Sequence, residues 1–168
     1  MIFFRGTDGA LVASSITGEN GVMVVLDPDT LWEEVKRLQR ELAEEMNELK
    51  DRRQVAVDIC GTSLEEWART KPHSRKEEET VARRHRMVMA VHSEFNRRIQ
   101  KYRLDQHRRL DDVQLFLAAE GEARAKMATK IHLELSRCLD VEVHLFRKIV
   151  GKFEHSVRRL AEASNARS

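Results

Sequence analysis

Apolar residues step along most of this chain at intervals of three and four. Leu31, Val35, Leu38, Leu42, Met46 and Leu49 keep that spacing, which places them on one face of a helix. The stretch LDPDTL (26–31) just ahead of them is a start signal. Asp27 can cap, Pro28 takes the first helical position where its missing N–H costs nothing, and Leu26 can staple onto Leu31. The pattern predicts an amphipathic helix from residue 27 to about 59, with Glu33, Glu34, Glu41, Glu44, Glu45 and Glu48 on its outside. Gly61 is expected to break it, after which Ser63 and Glu66 have capping-box spacing for a short helix carrying Trp67.

Pro72 ends that segment, and Ser74 with Glu77 forms a second capping-box pattern. No Gly or Pro then occurs before Gly121. Val81, Val88, Val91, Phe95, Ile99, Tyr102, Leu110, Val113 and Leu117 make the expected apolar stripe of this second long helix. A third follows, on Met127, Ile131, Leu135, Leu139, Phe146, Ile149, Phe153, Val157 and Leu160. Gly121 is either a tight turn between the two or a glycine within one continuous helix.

Residues 1–26 differ. Four of the seven glycines fall there, in GTDG and GENG, between the β-prone runs ALVASSIT and VMVVL. GENG reads as a hairpin turn, because Gly and Asn tolerate positive φ. The expected organisation is an N-terminal arm (1–26) that is a small β-hairpin or disordered, a helical body (27–163) and a frayed tail (164–168). Long amphipathic helices cannot bury their own stripes and must pair lengthwise. The fold class is therefore all-α: an elongated, coiled-coil-like antiparallel bundle of three long helices. Leu38, Leu42, Val88, Phe95, Ile99, Phe146, Ile149 and Phe153 are its expected packing seam.

Composition supports that reading. Charged residues make up 35% and aromatic ones only 5% of the 168 residues, which suits long helices better than a thick globular core. Cys60 and Cys138 stand far apart in no metal or redox spacing, as expected of reduced thiols in the cytoplasm. No apolar run is long enough to span a bilayer, so any membrane contact is expected to be peripheral. The seven histidines form no HExxH and no Glu-x-x-His pair. Adjacent carboxylates such as Asp111 and Asp112 diverge on a helix, and no nucleophile elbow or phosphate loop occurs. No enzyme activity, cofactor, metal or small-molecule substrate is expected.

The formal net charge of +2 hides a local concentration. At 100° per residue, Arg83, Arg84, Arg86, Arg97, Arg98, Lys101, Arg108 and Arg109 fall within an arc of roughly 160°. Such a stripe can be solvated, or can be partly neutralised by the acidic face of the first helix. It can also meet anionic lipid or the phosphates of a nucleic acid. Three long helices with a basic face over residues 27–163 resemble BAR-type membrane-curvature modules, a likeness of helix number and charge that implies peripheral binding to anionic membranes. Nucleic acid is the least favoured partner, because Phe95 and Tyr102 lie on the apolar stripe and not among the cations. The leading expectation is a non-enzymatic helical interaction or scaffold module, assembling with itself or with a protein partner.

Overall fold

The computed structural model describes residues 2–5, 11–16, 23–70 and 72–165, with side chains from Asp27 onward. From residue 28 the fold is all-α. Helix α1 spans Pro28–Arg69, α2 spans Arg75–Ala118, and α3 (Gly121–Arg137) runs through a π-helical turn (Cys138–Glu142) into α4 (Val143–Ser164). Ahead of them, backbone strands β1 (Ile2–Arg5), β2 (Leu11–Ile16) and β3 (Met23–Leu26) pair antiparallel in the order β1-β2-β3. The turn expected at GENG lies outside the described residues.

Local signals set the helix ends. The Asp27 carboxylate accepts the Thr30 backbone N–H at 2.8 Å and the Thr30 hydroxyl at 3.0 Å. Those two hydrogen bonds hold its pKa below the ordinary carboxylate value. At α2, the Ser74 N–H donates to Glu77 Oε2 at 2.7 Å while the Glu77 N–H donates to Ser74 Oγ at 3.2 Å, a complete capping box. His73 closes the connection between α1 and α2: its Nε2–H donates to the Trp67 carbonyl at 2.6 Å and its ring stacks on Trp67 at 4.0 Å. Gly121 has φ +58° and opens α3 as a turn, which settles the alternative left open for it.

Gly61 does not end α1. The helix continues through it to Arg69, and Ser63 is buried within it at 6% exposure rather than capping a new one. A single mid-helix glycine costs only about 1 kcal/mol. The neighbouring turns bury Ala56 and Cys60, with Leu64 and Trp67 partly buried, against Val81, Val88 and Leu160. Burial of even one such side chain offsets that cost.

The chain divides into two compact units. Unit 1 comprises Met1–Glu44 and Tyr102–Glu142; unit 2 comprises Glu45–Lys101 and Val143–Ser168. In unit 1, Leu31, Val35, Leu38 and Leu42 of α1 are buried, as are Phe116 of α2 and Ala128, Ile131 and Leu135 of α3. Trp32 stacks on Phe116 at 4.0 Å, and the Arg124 guanidinium covers the same ring at 4.3 Å. In unit 2, Phe95 of α2 meets Phe146 of α4 edge-on at 5.7 Å, and Arg53 of α1 lies over Phe95 at 4.4 Å. Arg147 pairs with Glu45 and Arg52 with Glu154. Both partners advance by seven residues between those two ion pairs, so α4 runs parallel to α1 in this unit.

The inner face of α2 departs from the expected stripe. Its buried positions Val81, Val88, Phe95, Tyr102, Arg109 and Phe116 recur every seven residues. An ideal helix drifts about 20° per heptad against such a repeat. The last turns of α2 therefore turn Arg109 and Asp112 inward, at 7% and 8% exposure, and leave Leu110 and Leu117 outside at 52% and 62%. The expected stripe followed apolar residue types, whereas the packing follows the seven-residue repeat.

Candidate interaction surface

The eight cations of the expected stripe separate into three classes. Arg83, Arg86, Arg97, Lys101 and Arg108 are exposed, and Arg84 and Arg98 are half-buried. Arg109 is buried and does not belong to the stripe. In unit 2 the exposed set narrows to Arg83, Arg86, Arg97 and Lys101, which fall within about 60° of one another on the helical wheel. Among the described residues none of these four has a carboxylate within 4 Å. Four carboxylates on the acidic outside of α1 have cations of their own. Glu33 pairs with Lys36, Glu34 and Glu41 pair with Arg37, and Glu45 pairs with Arg147.

All eight expected seam residues are buried. Leu38 and Leu42 lie in the core of unit 1, and Val88, Phe95, Ile99, Phe146, Ile149 and Phe153 lie in that of unit 2.

Arg109 makes a polar site inside unit 1. Its Nη1–H points to the Cys138 thiol at 3.9 Å, at the start of the π-helical turn, and its guanidinium stands 5.7 Å from the centre of the Tyr102 ring. Burial raises the Cys138 pKa and outweighs the opposing pull of the Arg109 charge. Burial likewise raises that of Tyr102. A shallow cleft of about 170 Å³ adjoins Arg109, lined also by Gln39, Leu42, Ala43, Tyr102, Gln106, Leu110 and Leu135. One turn on, Asp112 is balanced by Lys130 at 3.0 Å.

Sequence reasoning missed the apolar surface that this register creates. Leu104, Leu110, Leu115 and Leu117 are 52–62% exposed on the last turns of α2, and Leu133 and Val141 of the same unit are 38% and 45% exposed. Single exposed leucines are ordinary; here they come in two pairs, Leu110 with Leu117 on one flank of the helix and Leu104 with Leu115 on another, about 140° round the wheel. The seven-residue repeat through Val81, Val88 and Phe95 points to Arg109 as an inward position but does not by itself exclude Leu110.

Two further histidines matter for their surroundings, one buried and one half-buried. His132 is 6% exposed in unit 1, and burial lowers its pKa. In unit 2, Arg53 Nη2–H donates to His92 Nδ1 at 2.9 Å and to Asn96 Oδ1 at 3.0 Å. Burial and the adjacent Arg53 charge lower the His92 pKa. Both cysteines are free and buried. Among the described residues no cluster of three or more His, Cys, Asp or Glu is placed to hold a metal ion, and no helix is long and apolar enough to cross a membrane. The chain matches no protein-family model, no curated protein and no solved structure.

Proposed function

We propose that this protein is a non-enzymatic helical interaction module that binds protein through unit 1. The observation that carries the reading is the exposure of Leu110 and Leu117 on one flank of α2 and of Leu104 and Leu115 on another, all left uncovered by the unit's own core. Its long helices act as a scaffold that holds this surface in a fixed shape, and the buried, reduced thiols are compatible with a cytoplasmic setting. A photoreactive residue at position 110 tests the proposal, with the same residue at exposed position 158 as the control. The expected result is a protein adduct of discrete mass at 110 only, abolished by Leu117→Lys and reproduced with the purified partner or a second copy. Equal labelling at both positions, with Leu117→Lys lowering only the melting temperature, would make these leucines part of the fold and overturn the reading.

A second reading has its own observation. Arg83, Arg86, Arg97 and Lys101 form an exposed basic face in unit 2 without carboxylate partners among the described residues, and each cation near an anionic membrane contributes about 1 kcal/mol. Peripheral lipid binding of the BAR-like kind would use this face, and the phosphates of a nucleic acid would meet the same four cations.

A further inference from the structure

Leu104, Arg108, Asp111 and Leu115 step along α2 by four, three and four residues. That is heptad spacing. It runs on the side of the helix opposite Tyr102, Arg109 and Phe116, which face the core of unit 1. Leu104 and Leu115 are 62% and 58% exposed, and the Arg108 side chain is 79% exposed. Asp111 is exposed as well. The last turns of α2 thus carry two seams, one filled by the protein itself and one open.

The open seam has an inverted symmetry. Read from either end it runs apolar, charged, charged, apolar, with the two charges opposite in sign. We propose that a second copy of this chain docks on it, α2 against α2, antiparallel about a two-fold axis passing between positions 109 and 110. This rests on the reading of unit 1 as a protein-binding surface and names the occupant of its Leu104–Leu115 flank. In that arrangement Leu104 of each copy meets Leu115 of the other, and Arg108 of each faces Asp111 of the other. A two-fold contact requires a self-complementary patch, and this row is one. Its charges are available to pair: among the described residues Arg108 reaches one carboxylate, the neighbouring Asp105 at 3.9 Å, and Asp111 has no cation within 4 Å. An anionic lipid surface or a nucleic acid would meet Asp111 as a like charge, whereas a second copy turns it into a partner.

The row covers about 16 Å of helix, so the contact lies at the low end of specific interfaces and the pairing is weak. Sedimentation of the full chain up to ~100 µM, where weak contacts of this size are populated, tests it with two charge-reversal variants. Arg108→Asp places an aspartate opposite Asp111, and Asp111→Arg places an arginine opposite Arg108. Each variant alone is expected to sediment as a monomer, its dissociation constant raised at least about tenfold by the facing like charges. Mixed one to one, the two variants are expected to form a heterodimer. At one end the aspartate introduced at position 108 then meets the arginine introduced at position 111, and at the other the native Arg108 meets the native Asp111. All four positions are exposed, so helicity and melting temperature should remain those of the parent.

A parent chain that stays monomeric overturns the pairing and leaves unit 1 as a surface for a different protein. Single variants that associate as the parent does, or a mixture that stays monomeric, also overturn it by moving any self-association to another face.

Discussion

Gly61 and Gly121 show how differently one residue type can act. Gly61 is exposed inside α1 with nothing within 4 Å of an added Cβ, whereas Gly121 sits at φ +58°. Gly61→Ala should therefore stabilise by about 1 kcal/mol, through higher helix propensity and a less flexible unfolded chain. Gly121→Ala should destabilise by about 1–2 kcal/mol, because an L side chain is strained in the left-handed region. Urea denaturation of the two variants checks both signs. Arg109 is the second residue whose context inverts its type. It is a guanidinium at a core position whose polar contact is a thiol at 3.9 Å. Arg109→Met keeps the volume and removes a buried charge, so the melting temperature should hold or rise. Arg109→Glu would bury an unpaired carboxylate and should lower it sharply. A fall of many degrees for the methionine variant would show that the Cys138 and Tyr102 contacts stabilise more than the buried charge costs.

Among the elements, α2 carries most of what is specific to this protein. One face closes the cores, a second presents basic residues in unit 2, and its last turns expose leucines in unit 1. The caps of α1 and α2 were legible because Asp27 and the Ser74–Glu77 pair satisfy backbone donors within three residues of themselves. Where α2 turns its leucines was not legible, since local spacing accommodates both Leu110 and Arg109 as inward positions. Only the partners across the core choose between them. The basic face yields a prediction that excludes Arg109. Reversal of Arg83, Arg86, Arg97 and Lys101 to Glu should abolish flotation with anionic vesicles at unchanged helicity, if lipid is what this face meets. Flotation that is absent in the parent, or retained in the reversed variant, would remove the membrane reading.

For the molecule as a whole, buried His132 and half-buried His92 set a pH dependence. His92 and His132 both have pKa values lowered in the fold from the ordinary 6.5. The folded state therefore favours their neutral forms, and the unfolded chain binds protons first as pH falls. Stability from this source is complete above about pH 6.5 and is lost as pH drops from there through the lowered folded values. Melting temperature should fall between pH 7 and 5, ahead of any effect from Asp27 and Glu34, whose lowered pKa values act at more acidic pH. His132→Met should flatten that slope, because a protonated imidazole no longer has to be avoided in unit 1. A slope identical in parent and variant would assign the effect to other groups.

The amino-acid sequence alone determined that the chain from residue 28 is helical and where α1 and α2 start, because caps, turns and amphipathic periods act within a few residues. It did not determine the passage of α1 through Gly61, where the cost of one glycine is smaller than the burial on either side. Nor did it determine the burial of Arg109 and Asp112, the exposure of Leu104 and Leu115, or the pairing of Glu45 with Arg147. Those depend on which residues of distant segments meet. Tertiary packing decided them, since a helix with apolar residues on more than one face can bury only the face its neighbours cover.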